Sequence, residues 1–294
     1  MREPKPEQDQ ERGQRPDSTS ANGEGLTLLK LGGALLTEKG GREEPRLDVL
    51  WRLVKEIRAW DGASGRLVLG HGSGSYAHVA VSDTEFLPRP DDPQAFAQVA
   101  AAAGRLNLLV VKALLDAGLP AIALPGSLLG ICEAGVVTEV RSEMVTDLLA
   151  SGLLPTLYGD AAPDRKQGGA IASTEPLLMG LAKDLDVRRI IVATDVHGVF
   201  EGDPNEIEDA RPIPVITPAM GDALAQHLGK ARSGAVDVTG GMASKVGLLL
   251  DLVQRQPKLE IRIVSGLREG AVLAALKGDP DAGGTRILAD DSRV

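Results

Sequence analysis

The sequence predicts a three-layer α/β/α sandwich with a mostly parallel central sheet, and three observations carry that expectation. Short, nearly continuous apolar runs alternate with segments of helical periodicity along most of the 294 residues. This is the pattern of strands buried on both faces and joined by crossover helices. Hydrophobic residues make up 43% of the chain and aromatics only 2%, so the core must be built from Leu, Val, Ile and Ala. Glycine clusters fall at the ends of the apolar runs, where open parallel sheets bind their ligands.

Residues 1–25 carry almost no large apolar side chain and are expected to form a disordered N-terminal extension. Order should begin at Leu26, with a domain over 26–294. LTLLKL (26–31) reads as the first strand. Leu47, Leu50, Trp51, Val54 and Ile57 then recur at helical spacing. RLVLG (66–70) is the second strand, and 93–117 a long alanine-rich helix whose small side chains could leave room for an apolar substrate tail. PAIAL (120–124), a helix over 141–151 and LPTLYG (154–159) follow. A helix over 174–185, RIIVAT (189–194), a helix over 241–255 and EIRIVS (260–265) complete the alternation.

Composition excludes several classes of function. The net charge of −9 argues against nucleic acid as a partner. Cys132 is the single cysteine, so no internal disulfide and no cysteine metal site can form; it reads as a small buried hydrophobe. No apolar run reaches the ~18 residues that span a bilayer, and the polar N-terminus has no apolar signal core. No membrane partner and a cytoplasmic location are therefore expected.

Four glycine-rich segments follow strands or open helices: KLGGA (30–34), HGSGSYAH (71–78), YGD (158–160) and DVTGGMASK (237–245). Any one alone reads as an ordinary turn. Together, at strand ends and with lysines attached, they suit anion binding, because glycine lets successive backbone N–H groups close on a phosphate. The common nucleotide signatures are missing: there is no GxxxxGK[ST] loop and no GxGxxG after the first strand.

These segments, with TDVHGVFEGDP (194–204) and a terminal GTRI (284–287), stand in the order seen in the amino-acid kinase superfamily, which the chain resembles over about residues 26–290. A glycine loop closing on histidine, as in GSYAH, is similar to the isopentenyl phosphate kinases, and the related fosfomycin kinases share that histidine. The resemblance implies an amino-acid kinase-like fold with an acceptor lobe (about 26–165) and a nucleotide lobe (about 166–294). It implies ATP with Mg2+ and a small phosphorylated acceptor, with transfer of a phosphoryl group to isopentenyl phosphate. A homodimer is implied too. The alternatives are another acceptor of the superfamily (fosfomycin, N-acetylglutamate, aspartate, carbamate or a nucleoside monophosphate) or a non-catalytic binding protein.

The resemblance also implies residue roles. Lys30 would span the transferred phosphoryl, Lys245 would grip the outer ATP phosphates, and Lys39 would lie near them. Gly32 and Gly33 would offer amides to the transferred group. Gly72, Ser73, Gly74 and Gly159 would do so for the acceptor, with His78 adding a side-chain donor. Asp160 would orient a phosphate-binding lysine. Thr194, Asp195, Gly198 and Asp203 match the segment around the nucleotide ribose and base, and Thr239, Gly240, Gly241 and Met242 open the helix over the phosphates. No dedicated metal ligands are expected, and His71, His197 and His227 read as bystanders. Three positions depart from the family pattern: Ala34 in place of a serine, Glu175 in place of an aspartate, and His197 in place of an aspartate. In the acceptor half, Arg105 alone is placed to grip a second carboxylate.

Overall fold

The computed structural model describes residues 25–38, 40–63, 65–87, 89–201, 210–221 and 241–290. The expected N-terminal extension, apart from Gly25, therefore lies outside the described residues, as do Lys39, Asp203, His227, Thr239 and Gly240.

Eight strands form one sheet in the order β10-β12-β11-β9-β1-β2-β6-β3. These are β1 (Leu26–Leu31), β2 (Leu67–His71), β3 (Ala121–Pro125), β6 (Leu154–Tyr158), β9 (Val187–Thr194), β10 (Val215–Ile216), β11 (Glu260–Ser265) and β12 (Thr285–Ile287). Every pairing is parallel except β11 with β12. The six strands read from the sequence are all present. Side chains alternate across the sheet as the strand period of two requires. Leu28 joins the core on one face, whereas Leu29 and Leu31 join the core on the other.

Helices cover both faces. Helices α2 (Leu47–Arg58), α4 (Pro93–Asp116) and α9 (Ala271–Lys277) pack on the Leu29 face through Leu53, Leu106 and Val272. Helices α7 (Thr174–Asp184) and α8 (Gly241–Arg255) pack on the Leu28 face through Leu177, Leu181, Leu250 and Val253. Helix α4 starts where Asp92 accepts from the amides of Gln94 and Ala95, with Pro93 in the first turn, a standard helix-start signal. By length and apolarity α4 could cross a membrane. Here one side packs on the sheet, and Arg105 and Lys112 on it form ion pairs with Glu43 and Asp116.

A second sheet was not expected. β4 (Gly130–Glu133), β5 (Val136–Val140), β7 (Asp160–Asp164) and β8 (Gly168–Ala172) form it in the order β5-β4-β7-β8. DAAPD and GGAIA have little intrinsic strand preference, so tertiary pairing decides them. Asp164 fastens the two hairpins together: its carboxylate accepts from the amides of Ala134 and Gly135 in one turn and of Lys166 and Gln167 in the other.

Candidate active site

The site is built where the carboxyl ends of β9, β1, β2 and β6 line up. Leu31 stands level with His71 on one side and Ala193 on the other, and His71 stands level with Tyr158. The chain places its N-terminal half on one side of β1 and its C-terminal half on the other, so a topological switch point falls here.

Two glycine turns meet at that point. After β1 the chain turns through Gly32 into the short helix α1 (Gly33–Leu36), and after β2 through Gly72 and Ser73 into α3 (Gly74–Thr84). The turns interlock. A Cβ on Gly33 would lie 2.5 Å from the Gly74 nitrogen, and one on Gly72 would lie 2.8 Å from the Gly33 nitrogen. Gly74 also has φ +52, a left-handed value that favours glycine. Thr37 ties the turns together: its hydroxyl donates to the Gly33 carbonyl (3.1 Å) and accepts from the Ser75 amide (3.0 Å). Sequence reading missed Thr37, since nothing local marks a threonine as bridging two loops.

The expected amide donors are only partly available. Gly32 donates to Ala193 (2.8 Å) and Gly72 to Leu31 (3.0 Å), because each prolongs a strand ladder by one rung. Gly159 donates to the His71 carbonyl and its own carbonyl accepts from the Ser73 hydroxyl, so it braces the turn after β2. The amides of Gly33, Ser73 and Gly74 have no partner among the described residues.

His78 lies in the second turn of α3 and is exposed, four residues after Gly74 and so on the same helical face. The sequence read this segment as a glycine loop; the helix went unseen because it buries only Tyr76 and has no apolar stripe.

Lys30 is 9% exposed on β1 and donates to Glu175 Oε1 at 2.6 Å, from the first turn of α7. The acid that meets this lysine is therefore Glu175. Asp160, expected to orient a lysine, instead accepts from the Ser127 hydroxyl at 2.7 Å. The reason is topological: Asp160 opens β7 in the second sheet and turns toward α5 (Gly126–Leu129), which carries Ser127. Burial pushes the Asp160 carboxyl up, against the Ser127 hydroxyl and the amides of Ala161 and Ser127. Its Oδ1 is buried with no hydrogen-bond partner among the described residues.

On the C-terminal side, Thr194 ends β9 and its hydroxyl donates to Asp195 (3.2 Å). Gly198, at φ +134, packs on Thr285, whose hydroxyl accepts from the Val199 amide and donates to the Ile213 carbonyl. The GTRI segment thereby fixes the turn after β9. Gly241, Met242 and Lys245 lie in the opening turns of α8, whose first five side chains are outside the described residues. His197 is exposed on that turn.

Paired glycine turns, a buried lysine on the strand before the first of them and a long helix opening beside the sheet are features suited to anion binding. The chain belongs to the amino acid kinase family, which it matches over residues 25–265. It is 30% identical over 273 residues to the isopentenyl phosphate kinase of Methanothermobacter thermautotrophicus, covering 89% of this chain and 98% of the relative. The isopentenyl phosphate kinase of Methanocaldococcus jannaschii is 27% identical over 275 residues, with the same coverage. A crystal structure of an isopentenyl phosphate kinase superposes with a TM-score of 0.72 at 28% identity, covering 89% of this chain and 99% of that one.

Proposed function

We propose that this chain transfers the γ-phosphoryl group of ATP to isopentenyl phosphate, giving isopentenyl diphosphate and ADP. The observation that carries the reading is the acceptor turn: the amides of Ser73 and Gly74 and the exposed His78 lie together, directly against the Gly33 turn. A phosphate monoester has its second pKa near ~6, so the acceptor oxygen is already a nucleophile at neutral pH and no general base is required. Through a loose transition state the chain has only to align the two groups and balance charge. Lys30, with three N–H donors, can hold Glu175 and an oxygen of the moving group together. Gly33 would donate to that group, and Ser73, Gly74 and His78 to the acceptor. Lys245, Lys39, Gly241, Met242, Thr239 and Gly240 would hold the outer ATP phosphates. Thr194, Asp195, Gly198 and Asp203 would flank the nucleoside.

Mg2+ would arrive with ATP and neutralise charge on its β- and γ-phosphates. Among the described residues no three acidic, histidine or cysteine side chains gather into a cage, so phosphate oxygens and water supply most of its ligands in this reading. An enzyme that consumes ATP works where ATP is made available, which favours the cytoplasm.

Carboxylate acceptors such as N-acetylglutamate fit less well. Arg105 is already held by both oxygens of Glu43, and its guanidinium keeps the Glu43 carboxyl below the usual range. The homodimer reading draws on the edge of β3, which is unpaired among the described residues and keeps Ile122 exposed. Sedimentation at graded concentrations should give a dimer that Ile122→Lys weakens; a monomer at micromolar concentration would remove this proposal.

His78 tests the substrate. A charge-assisted hydrogen bond is worth about 1.5–3 kcal/mol, so His78→Ala should lower kcat/KM for isopentenyl phosphate roughly 10- to 150-fold. The KM for ATP should barely move. Asn or Gln at 78 should recover part of the loss. Wild-type kinetics in His78→Ala, or a defect confined to ATP, would withdraw the phosphate-acceptor reading.

A further inference from the structure

His71 was expected to be a bystander, yet it is completely buried at the end of β2, immediately before the acceptor turn. Its ring stacks on Tyr158, with centroids 5.8 Å apart and planes 13° from parallel. Its Nδ1 lies 3.1 Å from the Gly72 carbonyl and its Nε2 lies 3.1 Å from the carboxamide oxygen Oδ1 of Asn107 on α4, itself buried. The His71 carbonyl accepts from the Thr174 hydroxyl (2.7 Å) and the Gly159 amide. Both the ring and the backbone of this residue are therefore fixed from three elements.

We propose that His71 is a positioning residue, which holds the Gly72 carbonyl against the protein interior so that the next amide, that of Ser73, points at the acceptor phosphate. The reasoning is geometric. A trans peptide is planar, and its C=O and N–H point in opposite directions. Fastening the Gly72 oxygen to a buried ring turns the Ser73 N–H away from that ring, and this amide has no partner among the described residues. Glycine at 72 leaves that peptide with little side-chain restraint, so an outside contact has to set its orientation.

The protonation pattern follows from the partners. Burial pushes the ring below the ordinary histidine range, against the hydrogen bonds to Gly72 and Asn107, so it stays neutral with one N–H. The Gly72 carbonyl can only accept, which assigns the proton to Nδ1. Nε2 is then an acceptor, which pairs with Asn107 once that carboxamide is turned so that its NH2, in place of Oδ1, faces the ring. The Gly72 carbonyl thus selects the tautomer, and the tautomer holds the peptide.

This inference rests on the acceptor reading of the Gly72–Gly74 turn, and two independent measurements test it. In wild-type protein, 15N spectra of the His71 ring should show the proton on Nδ1; a proton on Nε2 would overturn the proposal. In kinetics, His71→Phe keeps the stacked ring and removes both nitrogens. It should raise the KM for isopentenyl phosphate about tenfold, the worth of one neutral hydrogen bond, with the KM for ATP within about twofold. His71→Asn, which offers a carboxamide N–H near the Nδ1 position, should recover most of the loss. Unchanged acceptor KM in a folded His71→Phe, or equal losses for both substrates, would also overturn it. Should wild-type protein leave isopentenyl phosphate untouched, the substrate reading fails, and the tautomer alone decides the role of His71.

Discussion

Lys30→Met should abolish most turnover while leaving both substrates bound. The lysine lies on β1 just before the first glycine turn, and its ammonium is 2.6 Å from Glu175. Removing a preorganised electrostatic group aimed at developing charge costs about 10²- to 10³-fold in kcat. Methionine keeps the length of the stem, so the expected result is a fall in kcat with KM values shifted only severalfold. A second consequence concerns folding. Lys30 is buried and Glu175 is partly buried, so the variant loses the cation facing that carboxylate and should be less stable by about 1–3 kcal/mol. Lys30→Met combined with Glu175→Gln should regain much of the stability and none of the activity. Single-turnover kinetics and thermal unfolding on the three proteins would read both effects. A Lys30→Met enzyme within tenfold of wild-type kcat would take this residue out of the chemistry.

Gly33→Ala should damage turnover nearly as much, by geometry instead of charge. The added methyl carbon would sit 2.5 Å from the Gly74 nitrogen and 2.7 Å from its Cα. Both are backbone atoms and cannot rotate away, so the two turns must separate. Thr37 resists that separation by holding Gly33 and Ser75 at once. A displacement approaching 1 Å between reacting groups can cost about 10²-fold, and a comparable fall in kcat is expected, with a lower melting temperature. By contrast, Gly118, between α4 and the start of β3, has nothing within 4 Å of an added Cβ. Its positive φ makes Gly118→Ala a strained control away from the carboxyl ends of the strands, expected to lose stability without the same loss of kcat. If Gly33→Ala turns over normally, the contact between the turns does not set the transfer distance.

Much of the fold was legible because its signals are local. β1, β2, β3, β6, β9 and β11 announce themselves as apolar runs, and Asp92-Pro93 marks the start of α4 without help from tertiary contacts. The second sheet was not legible, since Asp160–Asp164 becomes a strand only by pairing with β8 and by the Asp164 carboxylate joining two turns. In the candidate site, the glycine pattern marked strand ends that the structure brings together but could not say which amides remain available. Gly32 and Gly72 look like donors in sequence, whereas in three dimensions each continues a strand ladder. That Glu175, and not Asp160, meets a lysine has the same origin. The two acids are fifteen positions apart in the chain, and only the placement of α7 beside β1 decides between them.

The central sheet also bears on how substrates could be enclosed. β1 belongs to the N-terminal half and β9 to the C-terminal half, and they pair in register from Thr27–Arg189 to Leu31–Ala193. An acceptor lobe and a nucleotide lobe divided near residue 165 would thus share one continuous hydrogen-bonded ladder. Swinging one half against the other would break backbone bonds along the strands that build the site, a cost no ligand contact on the surface could offset. In the proposed reading, closure over substrates would therefore come from segments that rise off the strand ends, with the shared ladder left intact beneath them.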